Sequence, residues 1–111
     1  MKYKIKEQKN VSVINLEGNI MGGPDALLLN ELLHGLVKEG KKKIVLDMSA
    51  VKLMNSSGLG MLIAALTTVR HASGNLKLAG VSKKIENLFI ITKLINVFEQ
   101  YKTVKQAVDS Y

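Results

Sequence analysis

The chain contains no cysteine and no tryptophan, a single proline, and few aromatic residues, three Tyr and two Phe among 111. Without cysteine there is no disulfide framework, no thiolate metal site and no thiol nucleophile. Long apolar runs are missing too. None approaches the roughly 18 residues needed to cross a bilayer, and the opening MKYKIKEQKN alternates charged and apolar residues where an export signal would be apolar. The expectation is a soluble, cytoplasmic protein with no membrane partner. Acidic residues are scarce, 9 against 16 basic ones, for a formal charge of +7. That excess invites a nucleic-acid reading, but arginine, the residue suited to bidentate contacts with phosphates and bases, is scarcer still. Only Arg70 is present and every other basic residue is lysine. Lys2, Lys4 and Lys6 fall on one face of a first strand and Lys41, Lys42 and Lys43 at a helix-to-strand turn, both read as solvated surface. No direct nucleic-acid partner is expected, and attraction to an acidic protein stays open.

What is present is 47% hydrophobic residues, enough for one globular domain over residues 1–111 with a real core. Residues 2–8 and 11–17 read as a hairpin about Gln8-Lys9-Asn10, with Tyr3 and Ile5 inward on the first strand. Gly22-Gly23-Pro24-Asp25 breaks the chain and starts a helix, since proline is tolerated in a first turn and Asp25 complements the positive dipole end. Leu29, Leu32, Leu33 and Leu36 form its buried stripe and Gly40 ends it. Lys43–Met48 is a compact apolar strand of the kind buried on both faces. A second helix runs through Met61–Ala72, with Leu59, Leu62, Leu66 and Val69 at spacings of three and four. Residues 75–78 form a strand, Ser82 caps a helix burying Ile85, Leu88 and Phe89, Val97–Glu99 is a short strand, and Thr103 starts a last helix to Tyr111 with a capping-box pattern. The order β-β-α-β-α-β-α-β-α makes the fold class α/β, a mixed sheet of about five strands with about four helices and right-handed crossovers.

The stretch MNSSGLG, residues 54–60, lies between a strand and a helix, where such sheets carry their functional edge. Four readings compete there. A cap made by Ser56 or Ser57 would satisfy an orphan amide. A phosphate loop lacks its G-x-x-x-x-G-K-[ST] spacing, and the short G-x-G of Gly58 and Gly60 suits close helix-to-sheet packing better. A nucleophile needs a base. However, His71 lies about 22 Å along the helix from Ser56, and His34 reads as a surface or boundary residue, which argues against a hydrolase. Asp47 and Asn55 fall short of a hard-cation ligand set, so no metal and no cofactor is expected. The fourth reading is a modification site. A phosphoryl group would add about −1.5 to −2 charge at a helix end that tolerates anions, and so change a partner surface without breaking the fold.

IVLDMSAVKLMNSSGLGMLIAA resembles the signature of the anti-sigma factor antagonists, the free-standing bacterial members of the STAS domain family. VINLEGNI and VSKKIENLFIITKLINVFEQYKTVKQAV extend the resemblance over most of the chain. It implies a non-enzymatic partner switch: the unphosphorylated antagonist binds an anti-sigma factor, releasing a sigma factor, until that factor's serine kinase activity phosphorylates one serine. A separate serine phosphatase restores it. By resemblance the phosphorylated residue is Ser56, with Ser57 the second choice at the adjacent small-residue position. Gly58 and Gly60 are the helix-start glycines, and Asp47 is the polar end of the central strand, structural near the site. The partner surface would comprise Met21, Gly22, Gly23 and Asp25 with Asn55, Ser56, Ser57, Gly58 and Leu59. Asn55 stands where many members have Asp and Met21 where many have an acid, with Asp25 the nearest substitute in a different register. A second expectation is therefore a phosphorylation-independent scaffold or ligand-sensing module.

Overall fold

A computed structural model describes residues 1–111. Lys9 and Asn10, with φ of 51° and 64°, form the two-residue turn whose twist suits a hairpin, and Gln8 pairs with Val11 across it. This turn joins β1 (Lys2–Gln8) to β2 (Val11–Ile20). Then follow α1 (Pro24–Lys38), β3 (Lys43–Met54), α2 (Ser56–His71), β4 (Asn75–Ala79), α3 (Lys83–Ile91), β5 (Gln100–Tyr101) and α4 (Val104–Asp109). The element order is the one the sequence pattern implies. The sheet runs β1-β2-β3-β4-β5, antiparallel only between the first two strands. Each crossover steps to the next strand in the same direction, so right-handed connections put α1, α2 and α3 on one face.

The packing agrees with that topology. Leu29 and Leu33 of α1, Leu62, Leu66 and Val69 of α2, and Ile85 and Phe89 of α3 join Ile14, Leu16, Ile44, Leu46, Leu76 and Leu78 in the main core. Ala107 and Val108 of α4 meet Val11, Val13, Val45 and Ala79 on the opposite face. The central strands are thus buried on both sides, which is why Ile44, Val45 and Leu46 form a continuous apolar run. Polar side chains complete the α4 attachment. Buried Lys77 donates to the Ser110 carbonyl at 3.1 Å and hydroxyl at 2.8 Å, lies 3.3 Å from Glu99, and sits 4.1 Å above the Tyr111 ring. The Tyr111 hydroxyl lies 2.7 Å from both the Ile44 and Asn75 carbonyls, and burial pushes its pKa up. Asn75, and with it Lys77, holds the Glu99 carboxyl below its ordinary value.

Several boundaries differ from the sequence reading. β2 extends to Ile20 and β3 to Met54, because two register shifts, between Asn15 and Glu17 and between Gly18 and Asn19, break the alternation a strand normally shows. Asp47 is therefore mid-strand. It accepts from the Asn15 amide at 2.5 Å and from the Ser49 N–H and hydroxyl at 3.0 and 2.7 Å, tying down the first shift. Tyr3 and Ile5 do point to the helix face, opposite Leu16 and Ile14, but remain 41% and 39% exposed because β1 is an edge strand that no helix covers fully. The last strand is Gln100–Tyr101, not Val97–Glu99. Phe98 is stacked on Phe89 at 5.7 Å between centroids, which pins that segment into the core before pairing begins. The final helix ends at Asp109, leaving Tyr111 free to reach the sheet.

Candidate functional site

The carboxyl ends of β2 and β3 bring the two predicted partner segments together. Gly22 (φ 86°) lies so close to α2 that a Cβ on it would be 2.8 Å from the Ser57 Cβ. The loop from Met21 to Gly23 thus rests on the helix start, and proline at the first position with Asp25 in the first turn launches α1 as the sequence suggested. Asp25 is half-buried, with Oδ1 3.5 Å from the Met1 main-chain nitrogen.

The helix start itself corrects the serine-cap expectation. Asn55, with extended backbone, is the cap; its Oδ1 accepts from the Gly58 N–H at 2.8 Å and its carbonyl from the Leu59 N–H at 2.9 Å. Ser56 and Ser57 are the first two helical residues and both are exposed. The amide preference at caps, equal to that of serine, could have identified Asn55 one residue earlier. No acidic residue occupies the first turn, so the positive dipole end is uncompensated.

The two glycines of the motif separate. A Cβ on Gly58 would overlap the Ile20 carbonyl oxygen, so this residue permits the close helix-to-sheet approach expected of it, whereas around Gly60 nothing lies within 4 Å of such an atom. Leu59 and Gly58 are buried, and Gly22 with them, so they shape the surface without presenting side chains to it. Asp47 is not beside the helix start. It lies seven positions before Met54, about 23 Å of extended chain. His34 and His71 are exposed, His71 in the last turn of α2. A feature the pattern reading missed adjoins the site, a groove of about 470 Å³ between α1 and α2 lined by Gly23, Ala26, Leu27, Met61 and Ala64. Leu27, 62% exposed, stands outside the leucine stripe and was the available signal. A polar depression on the opposite sheet face, about 610 Å³ and lined by Lys2, Glu17, Ser49 and Lys52, shares no residue with it.

With this geometry in place, comparison defines the class. The STAS domain model matches residues 2–107. The chain belongs to the STAS domain family. Among its relatives, the anti-sigma-B factor antagonist of Bacillus subtilis is 30% identical over 95 residues, 86% of this chain and 85% of that protein. The anti-sigma-B factor antagonist of Staphylococcus epidermidis is 35% identical over 66 residues, 60% and 61% of the two chains. Two solved structures share the fold. An anti-sigma factor antagonist from Mycobacterium paratuberculosis superposes with a TM-score of 0.81 at 23% identity, covering 98% of this chain and 92% of that one. The phosphorylated form of the Bacillus cell fate determinant SpoIIAA gives 0.74 at 17%, covering 98% of each. No helix is long and apolar enough to cross a membrane.

Proposed function

We propose that the protein is an anti-sigma factor antagonist: unphosphorylated, it docks the Met21-to-Asp25 loop and the α2 start onto an anti-sigma factor serine kinase in the cytoplasm, and phosphorylation of Ser56 releases it. The observation carrying this reading is the cap. Because Asn55 serves the helix amide, the Ser56 hydroxyl is exposed and has no part in holding the helix, so a kinase can take it without unfolding the turn. An anion there meets the uncompensated dipole and the remaining first-turn amides, while the partner-facing surface gains about −1.5 to −2 charge. The relatives named as antagonists and the phosphorylated form of SpoIIAA support the same direction. A phosphatase would reverse the step. The chain itself acts on no substrate in this scheme.

The test is incubation with the anti-sigma factor kinase of its own genome and ATP, with phosphate located by mass spectrometry. Label on Ser56, its loss in Ser56→Ala, and weakened kinase binding by Ser56→Asp are expected; label confined to Ser57, or none, defeats the switch. Asn55, Met21 and the engagement of Asp25 with Met1 remove free acids from this surface and favour a second reading, a constitutive scaffold. That reading predicts that Ser56→Asp binds partners like the wild type.

A further inference from the structure

At the other end of the helix layer, α3 exposes two large apolar side chains that the partner switch does not use. Ile90 is 51% exposed and Ile91 78%, the most exposed large apolar side chain of the protein. They lie outward because Ile85 and Phe89 fill the inward stripe of the same helix. Lys83 and Lys84 share their outward side and Lys93 follows the helix in the left-handed conformation (φ 62°). All three lysines are exposed and none pairs with a carboxylate; the lysines that do are Lys9, Lys41, Lys77 and Lys105. The helix's only acid, Glu86, is half-buried in its first turn. An apolar centre framed by unpaired charge of one sign is the composition of a protein interface, with burial supplying affinity and the rim selecting the partner.

Charge decides the occupant. A second copy meeting this face about a two-fold axis would set three lysines against three lysines, between molecules of net charge +7. A bilayer surface asks for more, since stable polybasic attachment takes clusters of about four to eight basic residues or a lipid chain. We propose that the outward face of α3 is a second docking surface, for a partner protein whose apolar cleft or helix stripe is rimmed by Asp and Glu. The two isoleucines lie about 10–12 Å down the helix from Lys83, and α3 follows β4, whose last residue, Ala79, pairs with Asp47, well short of the Met54 end of β3 that carries the α2 start. The protein can therefore hold this partner while the Ser56 surface is occupied or phosphorylated.

The probe is a synthetic helical peptide with leucines along one stripe and glutamates beside it, titrated into the full-length protein with labelled isoleucine methyls. Saturable shifts of Ile90 and Ile91 are expected, with affinity falling about tenfold on raising salt from low to physiological, no response to the same peptide carrying lysines for glutamates, and unchanged binding in Ser56→Asp. The exposed double substitution Ile90→Gln/Ile91→Gln should weaken peptide binding about tenfold or more with unchanged thermal stability. Shifts elsewhere only, equal binding of both peptides, no binding of either, dimerisation lost in the double variant, or binding to anionic phosphatidylserine vesicles without the peptide would each overturn the proposal. The peptide contains no kinase surface, so failure of the Ser56 switch would leave this result standing.

Discussion

The α2 start and the α4 attachment are both polar places where a helix meets the sheet, yet they are assembled oppositely. At α4 the side chains are spent inward: Lys77 and Tyr111 bond to main-chain carbonyls, Lys77 buried and Tyr111 half-buried. At α2 the backbone carries the constraint, through Gly58 against Ile20 and Gly22 against Ser57, and the hydroxyls face solvent. Unpartnered polar groups in water cost nothing, whereas buried ones must be satisfied. The first region can therefore lose its outward hydroxyls at little cost in stability, whereas the second loses stability with each inward side chain. Polar residues that hold structure and polar residues available to a partner are told apart here by where their bonds go, not by their type.

The sharpest way to break the contrast is to overfill its backbone side. Gly58→Ala should cost about 3 kcal/mol or more, since the added carbon must displace the Ile20 carbonyl. Gly60→Ala, two residues on and open to solvent, should instead stabilise by about 0.5–1 kcal/mol through helix propensity. Urea denaturation of the two variants reads both; similar midpoints would show that the helix start is not packed as described.

On the side-chain half, Tyr111→Phe should cost about 1–3 kcal/mol, because the Ile44 and Asn75 carbonyls lose their shared hydroxyl beneath α4. The pH dependence has a definite sign. The folded-state pKa of Tyr111 is raised, so the native phenol stays neutral while the unfolded one ionises from about pH 10. The unfolded state then binds fewer protons and stability falls as pH rises through that region. Thermal unfolding at pH 9 and 11 should show a smaller alkaline loss in Tyr111→Phe than in the wild type.

The two regions also differed in how legible they were. Alternation, leucine spacing and turn residues made the element order readable, and Gly22 through Asp25 and Asn55 through Gly58 were recognisable as segments that meet. Which residue caps α2 was not, because Asn and Ser are equivalent caps and the choice depends on where β3 ends. That end was hidden by the register shifts after Asn15 and Gly18, which hid Asp47's place with it. The α4 attachment was hardest to see. Nothing in NLKLA marks Lys77 as buried, since its partners Glu99, Ser110 and Tyr111 come from more than 20 residues away and only the assembled fold supplies them.

Smaller effects sharpen the comparison at the cap. Asn55→Ala should cost about 1 kcal/mol, as the Gly58 amide loses its acceptor. Asn55→Asp keeps that acceptor and adds charge at the positive end, for a gain of about 0.3–1 kcal/mol that salt erodes. Denaturation midpoints at low and high ionic strength separate the two terms. A loss in Asn55→Asp comparable to that in Asn55→Ala would mean that the cap bond is not what orders the turn.

The smallest stability effect is expected at the residue assigned the largest functional one. Ser56→Ala removes an exposed hydroxyl that does not cap the helix, so stability should stay within about 0.5 kcal/mol of wild type while kinase-dependent labelling disappears. A loss near 1 kcal/mol would place Ser56 among the bonds that hold the helix start, as in the α4 attachment, and phosphorylation would then compete with folding. A neutral result instead makes Asn55 the reason the serine is available. The cap takes over the one structural duty a hydroxyl commonly has at that junction, and the phosphate proposed for Ser56 would come and go on a turn that does not depend on it.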